Sequence, residues 1–312
     1  MAKKIQAALS LPKKNNYGFV NSYIDEDVRL YLDYNFIRYE NTNNDFDNNT
    51  AHSKIIDFFD YNSQLVQTDL HEAIKNFKLI KENNLTHFGE TRNSHQPSGK
   101  GPSQLSLEQL FKYIADNPDL ELLTSPMDMT LIAPRMGPDC FSDLLTNIIF
   151  KELYDYTVTT LGKLKKLQYG NQTEHFYWNS KAHKWEKGSF KELLIDGIDT
   201  ILVPTHICTK KLPYNISKFI NGIILDVKQQ EIKNSGREEV PNKKDLLIQE
   251  LAPYKNQGIK NVSKQYALDS VSENPGLLRQ LHDKYDADYA HTHHYQLADD
   301  NDLPKYKKIN SY

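Results

Sequence analysis

The chain reads as an α+β protein: mixed elements around a central sheet, flanked by helices, in an irregular rather than strictly alternating order. Three observations predict this. Apolar residues recur at helical spacing in several long stretches, such as Leu70, Ile74, Phe77 and Ile80, or Leu144, Leu145, Ile148, Ile149 and Leu153. Shorter stretches alternate or run apolar at strand length, as in Val28, Leu30 and Leu32, or Ile198 to Val203. The two kinds do not follow one another with the regular period of a βαβ protein.

In chain order, residues 1–16 form a loose basic arm and residues 17–232 a main α+β domain. Within that domain a strand from Val28 ends near Asn35, and Asn41 to Thr50 is a solvated loop of mostly Asn, Asp and Thr. Helices are expected over 51–62 and 68–83. Residues 86–106 are polar and hold Gly89, Gly99 and Gly101; a helix begins near Ser106, with Leu107, Leu110, Phe111 and Ile114 as its stripe. The apolar run Met129–Ala133 is expected as a strand, followed by a tight turn at Pro134 to Asp143 and a helix through Tyr156. Residues 162–190 read as an aromatic hairpin or excursion, and Ile198–Val203 as a short strand closed by Pro204. Ser217 to Lys233 carries a helical stripe of Phe219, Ile220, Ile223, Ile224 and Val227. Residues 233–244 are charged, contain Gly236 and Pro241, and read as a linker to a helical C-terminal region over 245–312, with helices expected at 243–252, 260–272 and 275–285.

Composition narrows the function classes. Charged residues are 25% and hydrophobic residues 38% of the chain, which suits a folded globular protein and argues against disorder. The net charge of −3 gives no global attraction to nucleic acid or anionic membrane, so any nucleic-acid binding needs a local cluster such as Arg92, Lys100, Lys163, Lys165 and Lys166. Two cysteines, Cys140 and Cys208, make no disulfide framework and favour a reducing compartment. No apolar run approaches a membrane span, and a cytoplasmic location without membrane association is expected.

The sharpest chemical feature is the turn carrying Asp139 and Asp143. With Asp226-Val227-Lys228 after the apolar Ile223-Ile224-Leu225, it offers the parts of a Mg²⁺-dependent nuclease. In that reading Asp139, Asp143 and Asp226 hold the metal, and Asp143, Asp226 and Lys228 carry the catalysis, the lysine assisting the attacking water. Arg92 and Lys100, on the glycine-bearing loop, would grip phosphate. Each part has an ordinary counterpart. Asp143 can cap the following helix. The stripe at 216–227 fits a helix better than a strand, and a helix would point Asp226 and Lys228 to different sides. The loop at 86–106 matches neither a P-loop nor a dinucleotide fingerprint. His291, His293 and His294 could ligate a metal, or sit unengaged near a polar terminus. Cys140, between Asp139 and Phe141, reads as a structural thiol.

Read as a strand, Asp226-Val227-Lys228 resembles the acid-X-Lys of restriction-endonuclease-like (PD-(D/E)XK) proteins. The segments Asp27-Val28-Arg29-Leu30-Tyr31-Leu32-Asp33, Phe88-Gly89, Gly137-Pro138-Asp139 with Ser142-Asp143-Leu144, and Ile201-Leu202-Val203-Pro204 resemble an uncharacterised group of bacterial proteins associated with mobile elements and phage defence. That resemblance spans residues 20–285 and implies a nucleic-acid-acting defence protein, with no catalytic residues to carry over. Two expectations follow: a Mg²⁺-dependent nuclease or nuclease-like effector, or a non-catalytic binding or regulatory subunit of a multi-protein defence complex that contacts a protein partner or a second copy of itself. The conformation of residues 219–230 separates them.

Overall fold

The computed structural model describes residues 3–13, 16–39, 45–79, 84–89, 104–116, 125–133, 136–212, 214–236 and 239–292. Of the described residues, helix makes up 59% and strand 15%, the strands forming small antiparallel sheets flanked by helices, so the α+β expectation is met.

A short helix α1 (Ile5–Ala8) begins the described chain. The strand expected from Val28 reduces to β1 (Tyr31–Leu32), because α2 (Tyr34–Tyr39) starts at once behind it. Asp33 sets that boundary: its carboxylate accepts the Asn35 backbone N–H at 2.9 Å. Two long helices follow, α3 (Asn48–Thr68) and α4 (Leu70–Lys78), parted at Asp69. Asp47 caps the first through Thr50 N–H, and Asp69 caps the second through Glu72 N–H. Next come α5 (Gln104–Asp116) and α6 (Met129–Ile132). The run expected as a strand is therefore a helix. All four residues of α6 are buried, and a short apolar run buried on every side carries no period to separate helix from strand.

Helices α7 (Pro138–Ile148) and α8 (Phe150–Lys163) then lead into the hairpin of β2 (Tyr169–Asn179) and β3 (Lys184–Ile195). A turn at Asp196-Gly197, both with positive φ, returns the chain through β4 (Ile198–Asp199). The rest of the expected strand, Ile201–Val203, is extended but unladdered. Its backbone bonds go instead to Leu85, to Val20 and to the Thr157 hydroxyl. β5 (Cys208–Thr209) pairs antiparallel with β1.

The C-terminal region is helical. α9 (Ile216–Phe219), a π-helical turn (Ile220–Ile224) and α10 (Leu225–Asn234) run as one rod. α11 (Lys243–Asn256), α12 (Val262–Glu273) and α13 (Gly276–Thr292) complete it. The stretch read as a linker, 233–244, takes in the end of α10 and the start of α11, which pack on each other, with the Gln229 amide donating to the Pro241 carbonyl at 2.7 Å.

Aromatic side chains fasten the hairpin to the helices. Phe58 of α3 meets Phe59, Phe77, Trp178 and Trp185 with ring centroids 4.9–5.6 Å apart, all edge-on. Trp178 is fully buried, and its indole N–H donates to Asp57 Oδ2 at 2.6 Å. Beside it, Lys54 and Glu152 form an ion pair of 2.6 Å with both side chains largely buried, which locks α3 against α8. Phe58 is thus shared by three elements. Phe58→Ala is expected to destabilise the protein by about 3–5 kcal/mol in urea titrations. A loss below about 1 kcal/mol would mean that the hairpin does not depend on this contact.

Candidate functional site

The two carboxylates singled out in the sequence lie on α7. Gly137 precedes the helix in extended conformation, Pro138 takes the first helical position and Asp139 sits in the first turn. Asp143 lies one turn further on, inside the helix, so it is not the cap expected of it. Its backbone carbonyl accepts the Asn147 side-chain amide at 2.7 Å. Between them, Ser142 faces the core and its hydroxyl accepts the Leu32 N–H at 2.9 Å, which positions β1. Cys140 is half-buried, and burial, with Asp143 and then Asp139 beside it, pushes its thiol up to about 12. A thiol so raised stays protonated and is a poor nucleophile, as its sequence neighbours imply.

Opposite this turn stands Lys264 of α12, which sequence reasoning did not single out. Its ammonium donates to the carbonyls of Ala133 at 2.7 Å and Met136 at 2.8 Å, closing the α6–α7 turn from outside. Burial pushes its pKa down to about 8.

Asp226 and Lys228 lie elsewhere in the fold, on α10. The strand that an acid-X-Lys site requires is absent: residues 216–234 are helical throughout. The physical reason is the apolar stripe, which has helical spacing and buries Phe219, Ile220, Ile223 and Ile224 on one side. Both charged residues face α11. Asp226 pairs with Lys243, whose ammonium also reaches the Asn221 carbonyl at 2.7 Å, and Lys228 pairs with Glu250 at 3.2 Å. Among the described residues no three His, Cys, Asp or Glu side chains converge as a metal site would need. Arg92, Lys100, His293 and His294 lie outside the described residues, and of His291 only the backbone, within α13, is described. Lys163 is paired with Asp45.

Two further buried ionisable centres join residues far apart in the chain. Asp128, fully buried, takes His282 of α13 at 2.8 Å through one carboxylate oxygen; the other has no hydrogen-bond partner among the described residues. Burial raises the Asp128 pKa and the His282 contact opposes that rise. Asp33, also fully buried, is pushed up to about 7 by burial against its backbone bonds, and its charge in turn disfavours the thiolate of buried Cys208. The sequence signal for both is a lone acid beside buried apolar residues, Met127-Asp128-Met129 and Leu32-Asp33-Tyr34.

Together these features describe an α+β protein whose buried charges tie its elements to one another. The chain belongs to a family defined by a domain of unknown function (DUF8370), which matches residues 10–215. That match covers everything from the first loop to the cap of α9. No curated protein and no solved structure matches the chain.

Asp33 gives the site a pH signature. Its folded pKa is about 7 against an ordinary 3.8, so between these values the folded chain holds a proton that the unfolded chain has released. The contribution is complete at acid pH and is lost as pH rises through about 7, at up to about 1.4 kcal/mol per pH unit. Asp33→Asn keeps an acceptor for Asn35 and removes this slope. Urea midpoints compared from about pH 5 to about pH 8 are expected to show the wild type losing ground to the variant. A difference independent of pH would contradict the assignment.

Proposed function

We propose that the protein is a non-catalytic binding or regulatory module that acts through a protein partner. The observation that carries this reading is the use made of Asp226 and Lys228. Each is engaged by a charged residue of α11, Lys243 or Glu250, and serves the packing of two helices. Support also comes from the inertness of the Cys140 thiol and from the net charge of −3, with Lys163 of the basic candidates already neutralised. No described helix is long and apolar enough to cross a membrane. Membership of a phage-defence complex is the setting that the sequence resemblance suggests.

A Mg²⁺-dependent nuclease is the second reading. It is favoured by Asp139 and Asp143, which stand one turn apart on α7, both near enough to Cys140 to raise its thiol. It needs a third ligand and an activating group from outside α10.

A cleavage assay on plasmid DNA and RNA with Mg²⁺ or Mn²⁺ tests the proposal. No cleavage above that of Asp143→Ala is expected. Metal-dependent cleavage that Asp143→Ala abolishes would overturn the binding reading. Separately, Asp226→Ala and Lys228→Ala are each expected to change stability by less than about 1 kcal/mol, since both pairs are partly solvated. A loss of several kcal/mol in urea unfolding would give these residues a larger role than helix packing.

A further inference from the structure

The α9–α13 helices begin where the family match ends, at Asn215, whose side chain caps α9 through Ser217 and Lys218 N–H. They pack on one another: α10 on α11, α11 on α12, and α12 and α13 on the π-helical turn. Their main support on the family domain is α6, against which α12 and α9 lie. Two costly features gather at this one seam. Lys264 is half-buried, and the two described acceptors of its ammonium are neutral carbonyls, so among the described residues no carboxylate offsets its desolvation. Asp128 is a buried carboxylate with one oxygen bonded to His282 and the other without a partner among the described residues.

We infer that residues 216–285 form a regulatory cover which opens from the family domain as a unit, held shut by the Lys264 tie to Ala133 and Met136 and the His282 tie to Asp128. The seam also buries apolar surface: α6 and α12 are in contact, and Met129, Leu131 and Ile132 of the one and Tyr266, Ala267 and Val271 of the other are all buried. That area keeps the cover closed in the ground state, while the frustrated charges set its opening below the cost of global unfolding. Opening uncovers α6, the carbonyls of Ala133 and Met136 and the half-buried Cys140.

Hydrogen exchange of the full-length protein in low urea, read by mass spectrometry, tests the inference. In the wild type, peptides of α11, α12 and α13 are expected to open together and with a shallower urea dependence than peptides of α3 and α8. Lys264→Ala should speed exchange in the first group by about tenfold or more and leave the second within about twofold. His282→Gln, a milder change, should act in the same direction and serves if Lys264→Ala does not fold. Equal acceleration of both groups would show a single cooperative unit and overturn the proposal. So would no acceleration in either variant, since the two ties would then not hold the seam.

Discussion

Helix α6 is four residues long and has no exposed side. That burial is the constraint on which the rest of the arrangement depends. A helix so short cannot hold itself together, since its first and last turns overlap and most of its backbone groups lack intrahelical partners. It must be covered by apolar surface and have its carbonyls met from outside. α7 and the segment Ser125–Asp128 supply one side, while α9 and α12 supply the other. Lys264 meets the carbonyl of Ala133 just past the helix end, and the Thr130 hydroxyl meets that of Met127 before it. The family domain and the C-terminal helices therefore share a piece of backbone that neither could bury alone.

The same burial explains the perturbed groups. Desolvation is the largest cause of the shifts at Asp33, Asp128, Cys140, Cys208 and Lys264. Shifts of this kind gather at active sites, but structural networks produce them too. Here Asp33 caps a helix, Lys264 closes a turn and Asp128 anchors a distant helix. Asp33, Asp128, Cys208 and Lys264 each make a bond to backbone or to a side chain of another element.

Much of the fold was legible before any coordinates. The long helices α3, α4, α7 and α10 repeat apolar residues at their own period, and the aromatic hairpin lies where Trp178 and Trp185 stand either side of polar turn residues. What misled was burial on all sides. Met129–Ile132 is buried in every direction and shows no period that separates helix from strand, and it became a helix; Val28–Leu32 does alternate, with Arg29 exposed, but only Tyr31–Leu32 joined a ladder because α2 begins straight after Asp33. The ties at the seam were illegible for another reason. Asp128 and His282 stand 154 residues apart, and Lys264 stands 131 from Ala133. No local pattern marks such partners; only the fold brings them together. Asp226-Val227-Lys228 shows the opposite failure, a short motif that is locally suggestive and spatially committed to α11.

The central claim is that Asp226 belongs to helix packing and not to a metal centre shared with Asp143. Manganese(II) titration followed by electron paramagnetic resonance tests it most directly, because bound and free ions give separable signals. At protein and metal concentrations of about 100 μM, enough to load most of a site with a Kd of about 10 μM or tighter, the account predicts that the ion stays free and that wild type, Asp143→Ala and Asp226→Ala behave alike. One ion bound by the wild type and released by both variants would contradict it.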